Sequence, residues 1–340
     1  MDNISVVGID IAKRYFHLCA GTKSGRVVLR KKLYRSDFLS FISNLPKCTI
    51  VMEACGGANF WAREFMKLGF KVKLIAPQFV KPYRKSNKND AADAEAIMEA
   101  ALRPTMRFVG VKSLDRQDLQ SVHRARELTM KQRTMISNSI RGLLMEYGVI
   151  LPKGVTQIRK NLVEVLDRQK DKLTSVIREL IRNQYEEFTN LDRRIGVYDK
   201  QLEQVANTHP VCKKLMSCPG VGPMTSTALI AHVGDPRMFK RGRDLSAYLG
   251  LVPRQNSTGG KSTLGRISKR GDKYLRQLLV HGARSALIAA KNRTDKQSRW
   301  VLKLWERRGF NKACVALANK NARILWALMA YDTEYKQLAA

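Results

Sequence analysis

Lys88 to Glu95 reads K-N-D-A-A-D-A-E and sets Asp90 and Asp93 three residues apart at the opening of a helical run. On a helix that spacing places both carboxylates on one face, about one turn apart, where they can share a divalent cation. A plainer role is open to them. Asp is a favoured N-cap and a favourable first-turn charge, and neither task needs a ligand. What else the chain brings to the same place decides between the two.

Working outward, Ser5 to Asp10 (S-V-V-G-I-D) has the character of a buried strand that ends on a carboxylate. Tyr15 to Ala20 and Arg26 to Arg30 are two further short strands, joined through the turn-forming Gly21 to Gly25 region. Phe38, Leu39, Phe41, Ile42 and Leu45 then recur at helical spacing. The β-branched run Thr49 to Met52 stops at Glu53, an acidic residue that a core position does not explain. A helix over Asn59 to Leu68, a strand over Lys71 to Ile75 and a basic, proline-punctuated loop over Pro77 to Lys88 lead to the helix carrying Asp90 and Asp93. A three-strand meander followed by helix, strand, helix, strand and helix is the order of an RNase H-like fold. There the first strand is central, the fourth lies beside it and the late helix crosses their ends. The expected class is therefore α/β for this part and all-α for the remainder. In such a fold Asp10, Glu53, Asp90 and Asp93 meet, and four carboxylates repel one another unless cations neutralise them. Oxygen ligands of this kind suit Mg²⁺ or Mn²⁺, the ions used for in-line attack on a phosphodiester.

Composition points to the substrate. The chain has 340 residues, enough for two or three domains, with 62 Lys and Arg against 29 Asp and Glu, a net charge of +33. Self-repulsion on that scale is relieved by a polyanion, so nucleic acid is the expected partner. No apolar run approaches the ~18 residues of a membrane-spanning helix, and Asp2 stands where a charged-then-apolar leader would begin. The expectation is a soluble protein of a reducing compartment, with no membrane partner. The six cysteines (Cys19, Cys48, Cys55, Cys212, Cys218 and Cys314) make no C-x-x-C pair and lie near no histidine cluster, which argues against a zinc site or a disulfide framework.

Beyond the first domain, Leu119 to Tyr147 is a long helix whose Arg124, Arg126, Lys131 and Arg133 are either a solvated basic face or phosphate and RNA contacts; the total charge favours contacts. Pro152 to Gly154 ends it. In a second long helix Ile177, Ile181, Phe188, Leu191, Ile195, Tyr198, Leu202 and Val205 alternate by fours and threes, a coiled-coil repeat that only Gln184 interrupts. Its partner is another subunit or the preceding helix. The Cys218 to Pro223 turn, C-P-G-V-G-P, resembles a helix-hairpin-helix that meets phosphate through backbone N–H groups, and an ordinary helix–helix turn with Gly caps reads the same way. Pro253 to Lys273 combines Gly259, Gly260, Gly265 and Gly271 with Arg254, Lys261, Arg266, Lys269 and Arg270, the chemistry of a phosphate-gripping loop. Helices over Tyr274 to Ala290, Ser298 to Arg308 and Lys312 to Tyr331 complete the chain, with Trp300, Trp305 and Trp326 on apolar stripes expected to be core. The expected domains are 1–108, 109–207 and 208–340.

These blocks carry a family likeness. G-I-D-I-A-K (Gly8 to Lys13), E-A-C-G (Glu53 to Gly56) and K-N-D-A-A-D-A (Lys88 to Ala94) resemble the N-terminal domain of DEDD transposases. The C-P-G-V-G-P turn, Y-L-G-L-V-P-R-Q (Tyr248 to Gln255) and S-T-G-G-K…I-S-K-R-G-D (Ser257 to Asp272) are similar to their C-terminal transposase domain. The likeness is to the insertion-sequence recombinases that work with a structured bridge RNA. It implies a RuvC-type catalytic domain holding Mg²⁺ through Asp10, Glu53, Asp90 and Asp93. It also implies a serine from the second domain that completes a composite site across subunits of a dimer or tetramer, acting on donor and target DNA at the bacterial nucleoid, in the cytoplasm. Ser257 matches that serine; a serine directly before the first glycine would correspond to Thr258. The competing functions are a RuvC-like junction endonuclease, which needs the carboxylates and no serine, and a non-enzymatic RNA- or DNA-binding scaffold.

Overall fold

The computed structural model describes residues 3–84 and 90–336, and the chain divides into two compact units, Met1–Ser113 and Leu114–Ala340. In the first unit the strands are β1 (Val6–Ile11), β2 (Tyr15–Gly21), β3 (Val27–Tyr34), β4 (Thr49–Glu53), β5 (Lys71–Ile75) and β6 (Phe108–Val109). The helices between them are α1 (Arg35–Ser43), α2 (Ala58–Lys67), the single turn α3 (Pro77–Val80) and α4 (Asp90–Ala101). One mixed sheet runs in the order β3-β2-β1-β4-β5-β6. β1, β4 and β5 are parallel, the β1–β2–β3 meander is antiparallel, and β6 returns antiparallel to β5.

Side chains alternate across a strand, so each strand feeds two cores. Val7, Ile9, Ile50 and Met52 face α1 and α2, where Phe38 and Trp61 meet Phe16 edge-to-face and Phe65 meets Phe38 in the same way. Val6, Cys19 and Val51 face the opposite way, against Ala94, Ile97 and Met98 of α4. That helix lies almost on the sheet. A Cβ built on Gly8 would stand 2.4 Å from the Ala94 carbonyl oxygen and 2.6 Å from the Met98 nitrogen. Only glycine at that position, facing a helix rich in alanine, allows the approach.

The second unit opens with α5 (Leu114–Glu146), α6 (Val155–Arg168) and α7 (Ser175–Thr208). A shorter set follows: α8 (Pro210–Met216), α9 (Pro223–Val233), α10 (Gly242–Tyr248), α11 (Lys273–Ala289), α12 (Lys296–Arg308) and α13 (Phe310–Ala330). The long helices and this C-terminal set, expected as separate domains, belong to one unit. The heptad seam of α7 packs inside the chain: α7 lies against α5, and Ile181 and Phe188 share a core with Ile140 and Leu144 of α5 and Ile158 and Leu162 of α6. At the interruption, the Gln184 Oε1 is buried with no hydrogen-bond partner.

Between α10 and α11, where a loop was expected, the chain forms a two-stranded hairpin, β7 (Pro253–Thr258) and β8 (Lys261–Ile267). Gly259 and Gly260 take positive φ at its tip, the conformation a two-residue hairpin turn requires. Its base is closed by backbone contact: Cβ atoms on Gly250 and Gly271 would meet the carbonyl oxygens of Arg270 and Tyr248 at 2.1 and 1.8 Å. Arg276 adds a hydrogen bond from Nη1 to the Leu249 carbonyl at 3.0 Å.

Candidate carboxylate site and serine hairpin

Asp10 and Glu53 come together through strand register. Parallel pairing matches Ile9 with Met52, and one residue further on, at the C-terminal ends of β1 and β4, Asp10 stands beside Glu53. Val6 and Gly8 on β1, and Val51 on β4, all face α4, so period-two alternation points Asp10 and Glu53 to that same side. Both carboxylates act on one thiol there: burial, then the charges of Glu53 and Asp10, raise the pKa of Cys55. On α4, Asp93 precedes the residue that rests on Gly8 and is only 4% exposed. The side chain of Asp90, the fourth expected ligand, lies outside the described residues.

A cation from the chain itself sits among these acids. Arg84 places Nε 2.7 Å from Asp93 Oδ1 and a terminal nitrogen 3.7 Å from Glu53 Oε2. The contact to Asp93 is close but misaligned for a hydrogen bond, which leaves Asp93 Oδ1 and Arg84 Nε buried without hydrogen-bond partners. Among the described residues, no three His, Cys, Asp or Glu side chains converge closely enough to hold a metal ion as they stand. The donor set nevertheless suits a hard divalent cation: carboxylate oxygens, one of them buried and poorly satisfied, already gathered around positive charge. Sequence reading missed three contributors. Arg84 lay in a loop read only as basic, and Gly8 in a strand read only as apolar. His17 is the register partner of Asp10 on β2 and shares its face.

In the second unit, Ser257 pairs with Ser262 across the hairpin, and its hydroxyl accepts a hydrogen bond from Gln255 Nε2 at 2.8 Å. All of β7 is exposed, so the Ser257 oxygen is open to an incoming group. Thr258 pairs with Lys261 and points to the opposite face. Arg254, Lys261, Arg266, Lys269 and Arg270 are disposed along and below this ribbon, on the strands or at its base.

Some of the expected phosphate contacts are turned inward. Arg126 forms an ion pair with Asp199, and Arg133 donates to Asp192 at 2.5 Å, with Arg159 on the same carboxylate. Burial opposes the charge on Asp192, but the hydrogen bonds from Arg159 and Arg133 outweigh it and lower its pKa. These arginines tie α7 to α5 and α6. Lys131 pairs with Glu127 one turn away on the surface, and Arg124 is exposed. The glycine turn is likewise committed to packing: Cβ atoms on Gly220 and Gly282 would each strike the other's carbonyl, at 2.4 and 1.8 Å, and Asn321 Nδ2 donates to the Pro219 carbonyl. Gly220 therefore serves a helix–helix crossing. All six cysteines are free thiols.

Two family models match the chain, the first running from the first unit through α5 and the second lying within the second unit. A DEDD-type family described as a transposase matches residues 7–149, which include Asp10, Glu53, Asp90 and Asp93. The transposase IS116/IS110/IS902 family matches residues 212–299, which include the hairpin and Ser257. Together they mark a transposase, a DNA-recombining enzyme, whose DEDD-type domain suggests use of a divalent metal. Over 336 residues the chain is 46% identical to the transposase for insertion sequence element IS1111A of Coxiella burnetii, covering 99% of this chain and 92% of that protein. It is also 46% identical to a probable family 20 transposase of Pseudomonas aeruginosa, across 98% of this chain and 99% of that one. Identity to the transposase for insertion sequence element IS1328 of Yersinia enterocolitica is 38%, over 99% and 100% of the two chains. The protein belongs to the IS110/IS116/IS902 family of insertion-sequence transposases. Among the described residues no helix is long and apolar enough to cross a membrane.

Proposed function

We propose that this transposase cuts and rejoins the DNA strands of an insertion sequence through Ser257, working with a carboxylate site of Asp10, Glu53, Asp90 and Asp93 on an RNase H-like, RuvC-type domain. One observation carries the reading: register sets Asp10 beside Glu53, and Gly8 lets α4 bring Asp93 down on the same face. The sheet order, with β1 central and β4 next to it, supports the fold assignment. Those carboxylates would hold Mg²⁺ or Mn²⁺, which when bound supplies charge stabilisation to a reacting phosphodiester.

The chemistry divides into two exchanges. Ser257 Oγ attacks phosphorus; an Oγ–P bond forms, the bond to a DNA oxygen breaks, and that oxygen leaves with a proton. A hydroxyl of a second DNA strand then displaces Oγ, so the ester made in the first exchange is passed on rather than lost to water. Arg266 and Arg270, next to the hairpin strands, offer charge-assisted donors to the phosphoryl oxygens. Site choice is assigned to base pairing with a structured guide RNA in the cytoplasm, the protein gripping both backbones as a homo-oligomer, dimer or tetramer; the net charge of +33 supports a polyanionic partner larger than the site itself.

The test is a denaturing gel on insertion-end DNA. Wild type and Thr258→Val are expected to give a covalent protein–DNA adduct, and Ser257→Ala none. An adduct from Ser257→Ala sinks the serine assignment, and free 5′-phosphate ends with no adduct from wild type mean hydrolysis.

A further inference from the structure

Helix α12 carries a row of charge that no described acidic residue pairs with. Counting about 100° per residue, Lys296, Arg299, Lys303 and Arg307 fall within roughly a 100° arc, together with Trp300. All five are exposed, and Trp300 retains 38% of its surface. The opposite side faces the core: Ser298 and Val301 are buried, and Trp305 packs against the central cluster of the second unit. Asp295 fixes the start of the helix, accepting from the backbone nitrogens of Gln297 and Ser298 at 3.0 Å.

Two features separate this row from an ordinary solvated surface. Unlike Arg126 and Arg133, none of the four cations forms an ion pair with a described residue. Their spacing of three, four and four also sets like charges one turn apart, an arrangement that weakens an isolated helix. Lys296 adds to this by sitting at the positive end of the helix dipole. A second helix extends the row, since Lys320 of α13 lies over the Trp300 ring at 4.4 Å.

We propose that this face of α12 docks the phosphate backbone of duplex DNA. The eleven residue steps from Lys296 to Arg307 span about 16 Å, the rise of roughly five nucleotides of one strand. Four cations on a scaffold anchored by its other face present a straight, rigid array, which matches a stiff duplex. Trp300 offers an apolar surface to the sugars between phosphates. The inference goes beyond the strand chemistry of Ser257 and the carboxylates: it assigns the grip on the substrate to a helix that carries none of them.

The experiment is binding of a 20-base-pair DNA by fluorescence anisotropy over a salt series, using the full chain. Each phosphate contact contributes about 0.9 to the slope of log affinity against log salt. The variant K296Q/R299Q/K303Q/R307Q is expected to lose about 3 to 4 from that slope and to melt no lower than wild type. The control K153Q/K160Q/K170Q/K172Q, with equal charge loss elsewhere on the second unit, is expected to lose less than 1. The double variant K303Q/R307Q, expected to lose about 2, decides the matter if the quadruple variant does not fold. Equal losses for the row and the control, an unchanged slope in either row variant, or a loss seen only with duplex RNA or with anionic vesicles would overturn the proposal. Adduct formation by Ser257 on saturating DNA is expected to persist in the row variants, which separates failure of docking from failure of the chemistry.

Discussion

Gly8→Ala tests the geometry of the carboxylate site most sharply. The new Cβ would sit 2.4 Å from the Ala94 oxygen and 2.6 Å from the Met98 nitrogen, both backbone atoms of α4. Ordinary carbon contacts need about 3.5 Å, so the helix must withdraw by about 1 Å. Overpacking of that kind costs about 1–3 kcal/mol, a fall of several degrees in melting temperature for a unit of this size. The functional cost is larger, because Asp93 moves with α4 while Asp10 and Glu53 stay on their strands. A misplacement of about 1 Å in a catalytic group can lower the rate ~100-fold. Gly21→Ala is the matched control: its Cβ would meet the Met98 sulfur at 2.6 Å, in a flexible side chain that can change rotamer, and its nearest backbone atom, the Arg26 carbonyl oxygen, is further off at 3.2 Å. Single-turnover cleavage of insertion-end DNA, run beside thermal melts, should show Gly8→Ala about 100-fold slow while Gly21→Ala keeps its rate within a few-fold. Full activity in Gly8→Ala would show that close seating of α4 does not set the site.

Other outcomes follow from the same structure. Arg84→Ala removes the guanidinium beside Asp93 and Glu53; because the Arg84 side chain is 30% exposed, the loss of stability is set at about 1–2 kcal/mol, and added Mg²⁺ should raise the melting temperature of the variant more than that of wild type. His123 is held between Tyr274 and Thr227 by hydrogen bonds of 3.0 Å, and burial first, then the charges of His232 and Arg126, lower its pKa to about 3. The unfolded state therefore takes up a proton near pH 6.5 that the folded state refuses down to about pH 3. Stability should fall by up to about 1.4 kcal/mol per pH unit below 6.5, and His123→Gln should flatten that part of a urea-melt pH series. Gln184→Leu removes a buried unsatisfied oxygen from the α7 seam and should raise the melting temperature, a gain of about 1 kcal/mol; a lower value would mean that the amide has a partner in solution.

The first unit was legible because β1, β2 and β4 keep buried runs. Val6, Val7, Ile9, Ile50 and Val51 announce strands by burial, and Asp10 and Glu53 stand out by ending such runs. The two-residue β6 is too short to leave a pattern. The hairpin escaped for the opposite reason: every residue of β7 is exposed, so no apolar alternation marks it. Its one local signal was the Gly259–Gly260 pair between two runs of similar polarity, a two-residue turn read instead as a loop. Helix α6, which follows the break at Pro152 to Gly154, was not read from the sequence. Charge was misplaced where partners are distant. Arg126 and Arg133 look free in sequence, yet Asp199 and Asp192 lie 73 and 59 residues further along. Trp300 was placed in the core by periodicity; it sits at the edge of the α12 stripe, where solvent reaches it.

Arg84 has a consequence for the order in which this enzyme is assembled. Since a side chain of the same unit already offsets the charge of Asp93 and Glu53, the acidic face can fold in a cell before any divalent ion reaches it. If the proposed carboxylate site takes a divalent ion, loading is an exchange of one cation for another rather than a folding event. A chelator should consequently silence the enzyme while leaving it native, and returning the ion should revive it without a refolding lag.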